Sequence, residues 1–113
     1  NKICLGVFEC SNIIALGCGN VVVDELHLTT IAVHPNYRRQ GLASKVMSNI
    51  FIKAIQTNCI KATLEVKKGN FAAIAFYRNF GFTTTGCRRS YYKDGEDALI
   101  QWRSLKSLVK DEG

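Results

Sequence analysis

The stretch Ile31-Ala32-Val33-His34-Pro35-Asn36-Tyr37-Arg38-Arg39-Gln40-Gly41-Leu42-Ala43 limits the possible folds more than any other part of this 113-residue chain. Apolar residues close a strand, Pro35 prevents its continuation, a basic turn ends in glycine, and helical spacing starts at Leu42. A strand, a Gly-bearing basic loop and a helix N-terminus in that order make an anion site. Free backbone N–H groups and the positive end of the helix dipole converge on one spot.

The flanking pattern supplies the rest of a sheet. Residues 2–9 read as a strand, Cys10-Ser11-Asn12 as a hairpin-length break, and residues 13–23 as a second strand. Gly17 and Gly19 inside it signal a bulge or a close backbone approach. They are not a dinucleotide fingerprint, because no third glycine follows and no helix opens there. Asp24-Glu25 turns the chain into a third strand, 26–33, whose alternation loses phase at Thr30. From Gly41 to about Thr57, Leu42, Val46, Ile50 and Ala54 recur at helical spacing beside Ala43 and Met47. A short strand over 62–67 follows, and a strand–helix–strand unit of this length implies a parallel pair. Asn70 is a good N-cap for a helix over 71–80 with Ala73, Phe76, Tyr77 and Phe80 on its apolar stripe, and Gly81 is its stop. Strands over 82–92 and 97–103 flank Lys93-Asp94-Gly95-Glu96, a hairpin signal. In the tail 104–113, Leu105, Leu108 and Val109 are expected to pack as one helical turn. The expected fold is α/β (α+β): one domain, 1–113, with a mixed, mostly antiparallel sheet, a central parallel pair and two helices.

The formal charge of +6 favours an anionic ligand or neighbour, such as a nucleotide-type molecule or a ribonucleoprotein surface. No apolar run approaches the ~20 residues of a membrane span, and no basic-then-apolar leader opens the sequence. Cys4, Cys10, Cys18, Cys59 and Cys87 are dispersed, and with only His27 and His34 beside them no zinc spacing exists. Reduced thiols in a cytosol-like compartment, buried as small apolar groups, are the expectation.

Four groups could carry chemistry. Backbone N–H groups from about Arg39 to Ser44 could surround a diphosphate, with Arg38, Arg39 and Lys45 adding charge; the alternative is a solvated basic loop. Glu65 lies on a strand expected to be covered on both faces. It is either an ion-pair partner of Lys67 or Lys68, or a proton acceptor whose pKa is raised by partial burial. Tyr77, two helical turns beyond Asn70, is a core aromatic or a hydroxyl that needs a partner. Arg88-Arg89-Ser90-Tyr91-Tyr92 could stack on bases, line a peptide groove, or be a plain hairpin face.

Together these residues resemble the GCN5-related N-acetyltransferases (GNAT), and within them the RimI-type ribosomal-protein-alanine and archaeal protein N-terminal acetyltransferases. The resemblance rests on Arg38-x-x-Gly41-x-Ala43 after Ile31-Ala32-Val33, then Leu64-Glu65-Val66, Asn70, Ala73-Ile74-Ala75-Phe76-Tyr77, Gly81-Phe82, Tyr91-Tyr92 and Gly95-Glu96-Asp97-Ala98. It spans about residues 13–103. It implies an acetyl-CoA-dependent N-acetyltransferase in which Arg38, Arg39, Gln40, Gly41, Leu42, Ala43 and Ser44 hold the pyrophosphate. Ile31, Ala32 and Val33 would run beside the pantetheine, a backbone N–H near Val33 would polarise the thioester carbonyl, and Asn70 and Tyr77 would contact the cofactor arm.

The resemblance further implies that Glu65 is the general base, Tyr77 the general acid, and Tyr91 and Tyr92 part of the acceptor site. An α-amine with a pKa near ~8 must lose a proton before it attacks, and a carboxylate near ~4.3 is a weak base for that, so a water relay or partial burial is expected to help Glu65. A phenol near ~10 is about 1.5 units weaker than a thiol near ~8.5, a mismatch of ~2 kcal/mol for protonating the departing sulfur. Relatives begin with a strand and two helices ahead of residue 2, and that segment is expected to be missing here. The expected acceptor is the N-terminal α-amine of a (ribosomal) protein, met by a cytoplasmic monomer with nucleic acid contacted only through a ribosome. A small-molecule amine as acceptor, or a non-catalytic module docking on RNA, are the other readings.

Overall fold

The computed structural model describes residues 1–109. Six strands form one sheet in the order β1-β2-β3-β4-β6-β5, from β1 (Lys2–Glu9), β2 (Asn12–Val22), β3 (Glu25–Val33), β4 (Lys61–Lys67), β5 (Thr83–Arg88) and β6 (Ala98–Ser104). Among the described residues only β3 and β4 pair in parallel; every other neighbour is antiparallel. The two long helices are α1 (Leu42–Gln56) and α2 (Phe71–Asn79). A single turn, α3 (Lys106–Val109), follows Leu105, which is fully buried, whereas Leu108 stays 40% exposed; the Val109 side chain and residues 110–113 lie outside the described residues. The tail expectation thus holds for Leu105.

Both long helices end as local chemistry dictates. Asn58, at φ +67°, closes α1: its N–H donates to the Ile55 carbonyl, and Cys59 N–H reaches the Ala54 carbonyl at 2.9 Å. Gly81, at φ +85°, closes α2 in the same pattern, with Phe82 N–H on the Tyr77 carbonyl at 3.1 Å. Both helices cover one sheet face. Met47, Ile50, Phe51 and Ala54 of α1 pack with Leu26, Leu28, Ala62, Leu64 and Phe82, and the Phe51 ring lies 6.1 Å from those of Phe80 and Phe82. Gly17 explains the glycines of β2: a Cβ there would stand 2.4 Å from Val46 Cγ1 of α1. Gly17 is a close approach, and the β2–β3 bulge falls beside the second glycine, between Cys18 and Gly19.

Two expectations need correction. The β5 strand stops at Arg88 rather than at 92, because Ser90 takes φ +49° and gives its N–H to Asp97 Oδ1 at 2.8 Å instead of to the ladder. The Asp94-Gly95 turn survives inside the resulting loop, with Gly95 N–H on the Tyr92 carbonyl. The cysteines are not uniformly buried: Cys59 is, but Cys4, Cys10 and Cys87 are exposed and Cys18 is half-buried.

Candidate active site

The site begins where the sheet splits. β3 and β4 share only the pairs Glu25–Lys61, Leu26–Ala62 and His27–Thr63, after which no further pairing joins them. The β2–β3 register passes from Gly19–Leu28 to Cys18–Thr30, so Thr29 is an extra residue in β3, a bulge that bends the strand. This is the physical origin of the phase lost at Thr30: Leu26 and Leu28 face the helices before the bulge, Ile31 and Val33 after it.

Beyond the bulge, His34 N–H donates to the Ile14 carbonyl at 2.8 Å. Backbone groups alternate along a strand, so Ala32 also points toward β2, while Ile31 and Val33 aim their N–H and C=O groups at the gap beside β4. Arg38 Nε reaches the Val33 carbonyl from this side at 3.4 Å. The gap opens into a cleft of about 560 Å³ walled by Ile31, Ala32 and Val33, by the loop into α1, and by Ala72, Ala73, Phe76 and Tyr77 of α2.

The loop is built to present N–H groups. A 3₁₀ turn over Pro35–Tyr37 is capped by His34, whose Nδ1 accepts from Asn36 N–H at 3.1 Å. Tyr37 Oη donates to Glu9 Oε2 at 2.5 Å, tying the turn to the end of β1. Arg39 (φ +65°) and Gly41 (φ +75°) are both left-handed, which curls the backbone. Gly41 caps α1 without a side-chain acceptor, and the first helical bond is Lys45 N–H to the Gly41 carbonyl at 3.0 Å. The N–H groups of Leu42, Ala43 and Ser44 therefore have no acceptor within the helix, and all three residues line the cleft with Arg38, Arg39 and Gly41. A Cβ on Gly41 would meet nothing within 4 Å. Curled N–H groups, two guanidinium-bearing residues and a helix N-terminus suit a pyrophosphate, and the apolar wall from Ile31 to Phe76 suits a narrow aliphatic arm.

Tyr77 stands on the opposite wall, its ring edge-on to Phe76 at 5.5 Å and to Phe82 at 5.8 Å. Burial, and secondarily Tyr92, push its hydroxyl above the ordinary tyrosine value, so it keeps its proton at neutral pH. Asn70 is not in the cleft wall. Its side-chain oxygen turns back to accept from Ala73 N–H at 3.2 Å, as the N-cap of α2, and Gln40 is likewise absent from the lining.

Glu65 departs from expectation. Ala62, Leu64 and Val66 of β4 are buried under the helices, but Glu65 faces the other side of the sheet and is exposed, because no helix among the described residues lies over that face. The burial expected to assist it is absent. Its partner is neither Lys67 nor Lys68 but Arg88, whose Nε lies 3.3 Å from Oε2. Lys67 instead holds Asp94 at 2.7 Å, which with Gly69 N–H on Glu96 Oε1 fastens the 89–97 loop to the β4–α2 turn. That loop carries Tyr91, half-exposed under the Arg88 guanidinium, and Tyr92, edge-on to Tyr91 at 5.1 Å and beneath Lys67. Burial first, then Tyr91 and Glu65, raise the Tyr92 hydroxyl.

Sequence reasoning missed Tyr37 and Ala72 as cleft residues and Arg88 as the partner of Glu65. Tyr37 has a faint signal, an aromatic next to Arg38 in a turn otherwise polar. Arg88 has none, since the pairing spans 23 residues and two strands.

Comparison with known proteins gives the chain a place. The acetyltransferase (GNAT) family profile matches residues 1–82. The [ribosomal protein bS18]-alanine N-acetyltransferase of Escherichia coli K12 is 40% identical over 89 residues, 76% of this chain and 60% of that protein. The N-alpha-acetyltransferase of Saccharolobus solfataricus is 36% identical over 81 residues, 70% of this chain and 48% of its own length. The crystal structure of the E. coli ribosomal-protein-S18-alanine N-acetyltransferase superposes with a TM-score of 0.83 at 34% identity, covering 92% of this chain and 69% of that one. The chain thus spans roughly half to three fifths of these two curated relatives. With a split parallel pair, a basic loop at a helix N-terminus and a matching profile over most of its length, the chain belongs to the GNAT acetyltransferase family.

Proposed function

We propose that this chain carries the acetyl-transfer site of an acetyl-CoA-dependent N-acetyltransferase acting on protein N-terminal α-amines, with a ribosomal protein as the acceptor class suggested by its relatives. The observation that carries the reading is the cleft at the β3–β4 split, with an N–H-rich basic loop at one end and Tyr77 on its wall. In this reading the N–H groups of Leu42, Ala43 and Ser44, aided by Arg38 and Arg39, hold the pyrophosphate, and the cofactor supplies a thioester-activated acetyl group. Asn70 serves by capping α2, which sets the wall opposite β3, rather than by touching the arm.

The free N–H of Val33 points into the gap and would polarise the thioester carbonyl. Glu65, exposed and hydrogen-bonded to Arg88, takes the amine proton through water, since solvent reaches it and burial does not assist it. Tyr77 gives its proton to the departing sulfur, and its raised pKa makes that transfer more uphill than the ~2 kcal/mol phenol–thiol mismatch. Tyr91 and Tyr92 form the rim met by the arriving peptide. The enzyme would act as a cytoplasmic monomer; among the described residues no helix is long and apolar enough to cross a membrane.

The test is mass spectrometry of peptides beginning with Ala or Ser incubated with acetyl-CoA, beside free polyamines and amino sugars. Acetylation of the peptide α-amine supports the reading; turnover of free amines alone replaces the acceptor class. Glu65→Gln and Tyr77→Phe should each lower kcat by about 10²–10⁴-fold, the usual range for a general base or acid. Full activity in both variants would remove them from the chemistry.

A further inference from the structure

Two thiols lie against each other on the sheet face opposite α1. Cys4 and Cys18 are direct cross-strand partners in the β1–β2 ladder, and their sulfurs are 2.7 Å apart. The ladder fixes the kind of pair. Val21 N–H donates to the Asn1 carbonyl at 2.7 Å, so odd-numbered residues of β2 bond to β1 and even-numbered ones turn toward β3. Cys4–Cys18 is therefore a non-hydrogen-bonded pair, the closer of the two antiparallel types, with Cα atoms typically ~4.5 Å apart. That falls at the short end of the ~4.4–6.8 Å range that a disulfide bridges, and the sulfurs need approach by only about 0.7 Å to reach the ~2.05 Å bond.

The surroundings distinguish this pair from the other cysteines. Cys59 is buried, Cys10 and Cys87 are exposed, and among the described residues the one sulfur–sulfur contact is that of Cys4 with Cys18. Cys4 is exposed, while Cys18, half-buried, is held above its ordinary value chiefly by the Cys4 sulfur and keeps its proton longer, although nearby Lys2 partly offsets this. An accessible first thiol with a second one in contact is the arrangement that lets a mixed disulfide resolve within the molecule.

We propose that Cys4 and Cys18 form a redox-active dithiol that a low-molecular-weight disulfide converts into a cross-strand disulfide. The Cys4 thiolate attacks one sulfur of the small disulfide: a Cys4–S bond forms, the small S–S bond breaks, and one thiolate leaves and takes up a proton. Cys18, losing its proton to solvent, then attacks the Cys4 sulfur. The Cys4–Cys18 bond forms and the second small thiol departs. Two protein thiols are oxidised and one disulfide is reduced to two thiols.

Glutathione disulfide is the probe, applied to the folded Cys10→Ser/Cys87→Ser chain, which keeps Cys4, Cys18 and the buried Cys59. The expected product is the intact chain lighter by two hydrogens and free of glutathione. After cleavage at Glu9 and Glu25, fragments 1–9 and 10–25 should remain joined until a reductant is added. Adding Cys4→Ser should abolish the joined fragments and leave at most a stable glutathione adduct on Cys18. A chain that retains both thiols, or that accumulates glutathione on Cys4 without release, overturns the proposal. A circular dichroism spectrum matching the parent confirms that each variant tested is folded. The outcome is independent of acetyl transfer, because no cofactor or acceptor is present.

Discussion

Gly41 offers the sharpest test of how the loop holds its anion. Its φ of +75° lies in the left-handed region, and a Cβ there would meet nothing within 4 Å, so substitution is penalised by backbone conformation and not by a clash. For an L-residue that conformation costs about 1–2 kcal/mol, with Asn among the least disfavoured and β-branched residues the most. A substituted loop either retains the conformation and loses that much stability, or relaxes and turns the N–H groups of Leu42, Ala43 and Ser44 away from the cleft. In the relaxed case the same energy is recovered only by forfeiting the ligand geometry, so acetyl-CoA binding should weaken by roughly 5–30-fold, the equivalent of 1–2 kcal/mol. Calorimetric titration with acetyl-CoA, paired with urea denaturation of the free protein, measures both terms. The expected order of summed loss is Val above Ala above Asn. Equal affinity and equal stability for Gly41→Ala and the parent would refute the argument, as would Asn ranking worse than Ala.

Three further outcomes follow from the same structure. Asn70→Ala should cost about 0.5–2 kcal/mol in urea denaturation by removing the cap on Ala73 N–H, whereas Asn70→Asp, which can still accept that bond, should fall well short of it. Gly17→Ala should destabilise by about 1–3 kcal/mol, because its Cβ would stand 2.4 and 2.5 Å from Val46 Cγ1 and Ile50 Cδ1, so these buried side chains or α1 itself must shift; an unchanged melting curve would contradict the close approach. Tyr77 is raised above its ordinary value, so its contribution to stability is fully present below pH ~10 and lost as pH rises through its folded-state pKa. Alkaline unfolding monitored by tyrosinate absorbance should therefore be delayed in Tyr77→Phe relative to the parent.

The strongest sequence inferences were those with a local cause. Pro35 ends a strand, Gly41 permits a left-handed turn, Asn70 caps and Gly81 stops a helix, and each acts within a few residues of itself. The chain alone was therefore enough to place an N–H-rich basic loop between β3 and α1 and to give the order of strands and helices along the chain, but not the place of β6 between β4 and β5. The lost alternation at Thr30 was visible too, but its meaning was not. A bulge is defined by what lies opposite, and only the β2–β3 register shows Thr29 without a partner. The split of β3 from β4, and hence the cleft, is likewise a fact of strand pairing, visible only in the β3–β4 register. Glu65 was misplaced for a related reason: its exposure depends on which sheet face the helices cover, and its pairing with Arg88 on how β5 and β6 stack beside β4. Residue type and spacing determined which groups could do chemistry here. Strand register and the one-sided packing of the helices decided which of them meet, because contacts between distant segments follow from the pairing of strands and not from the properties of either segment alone.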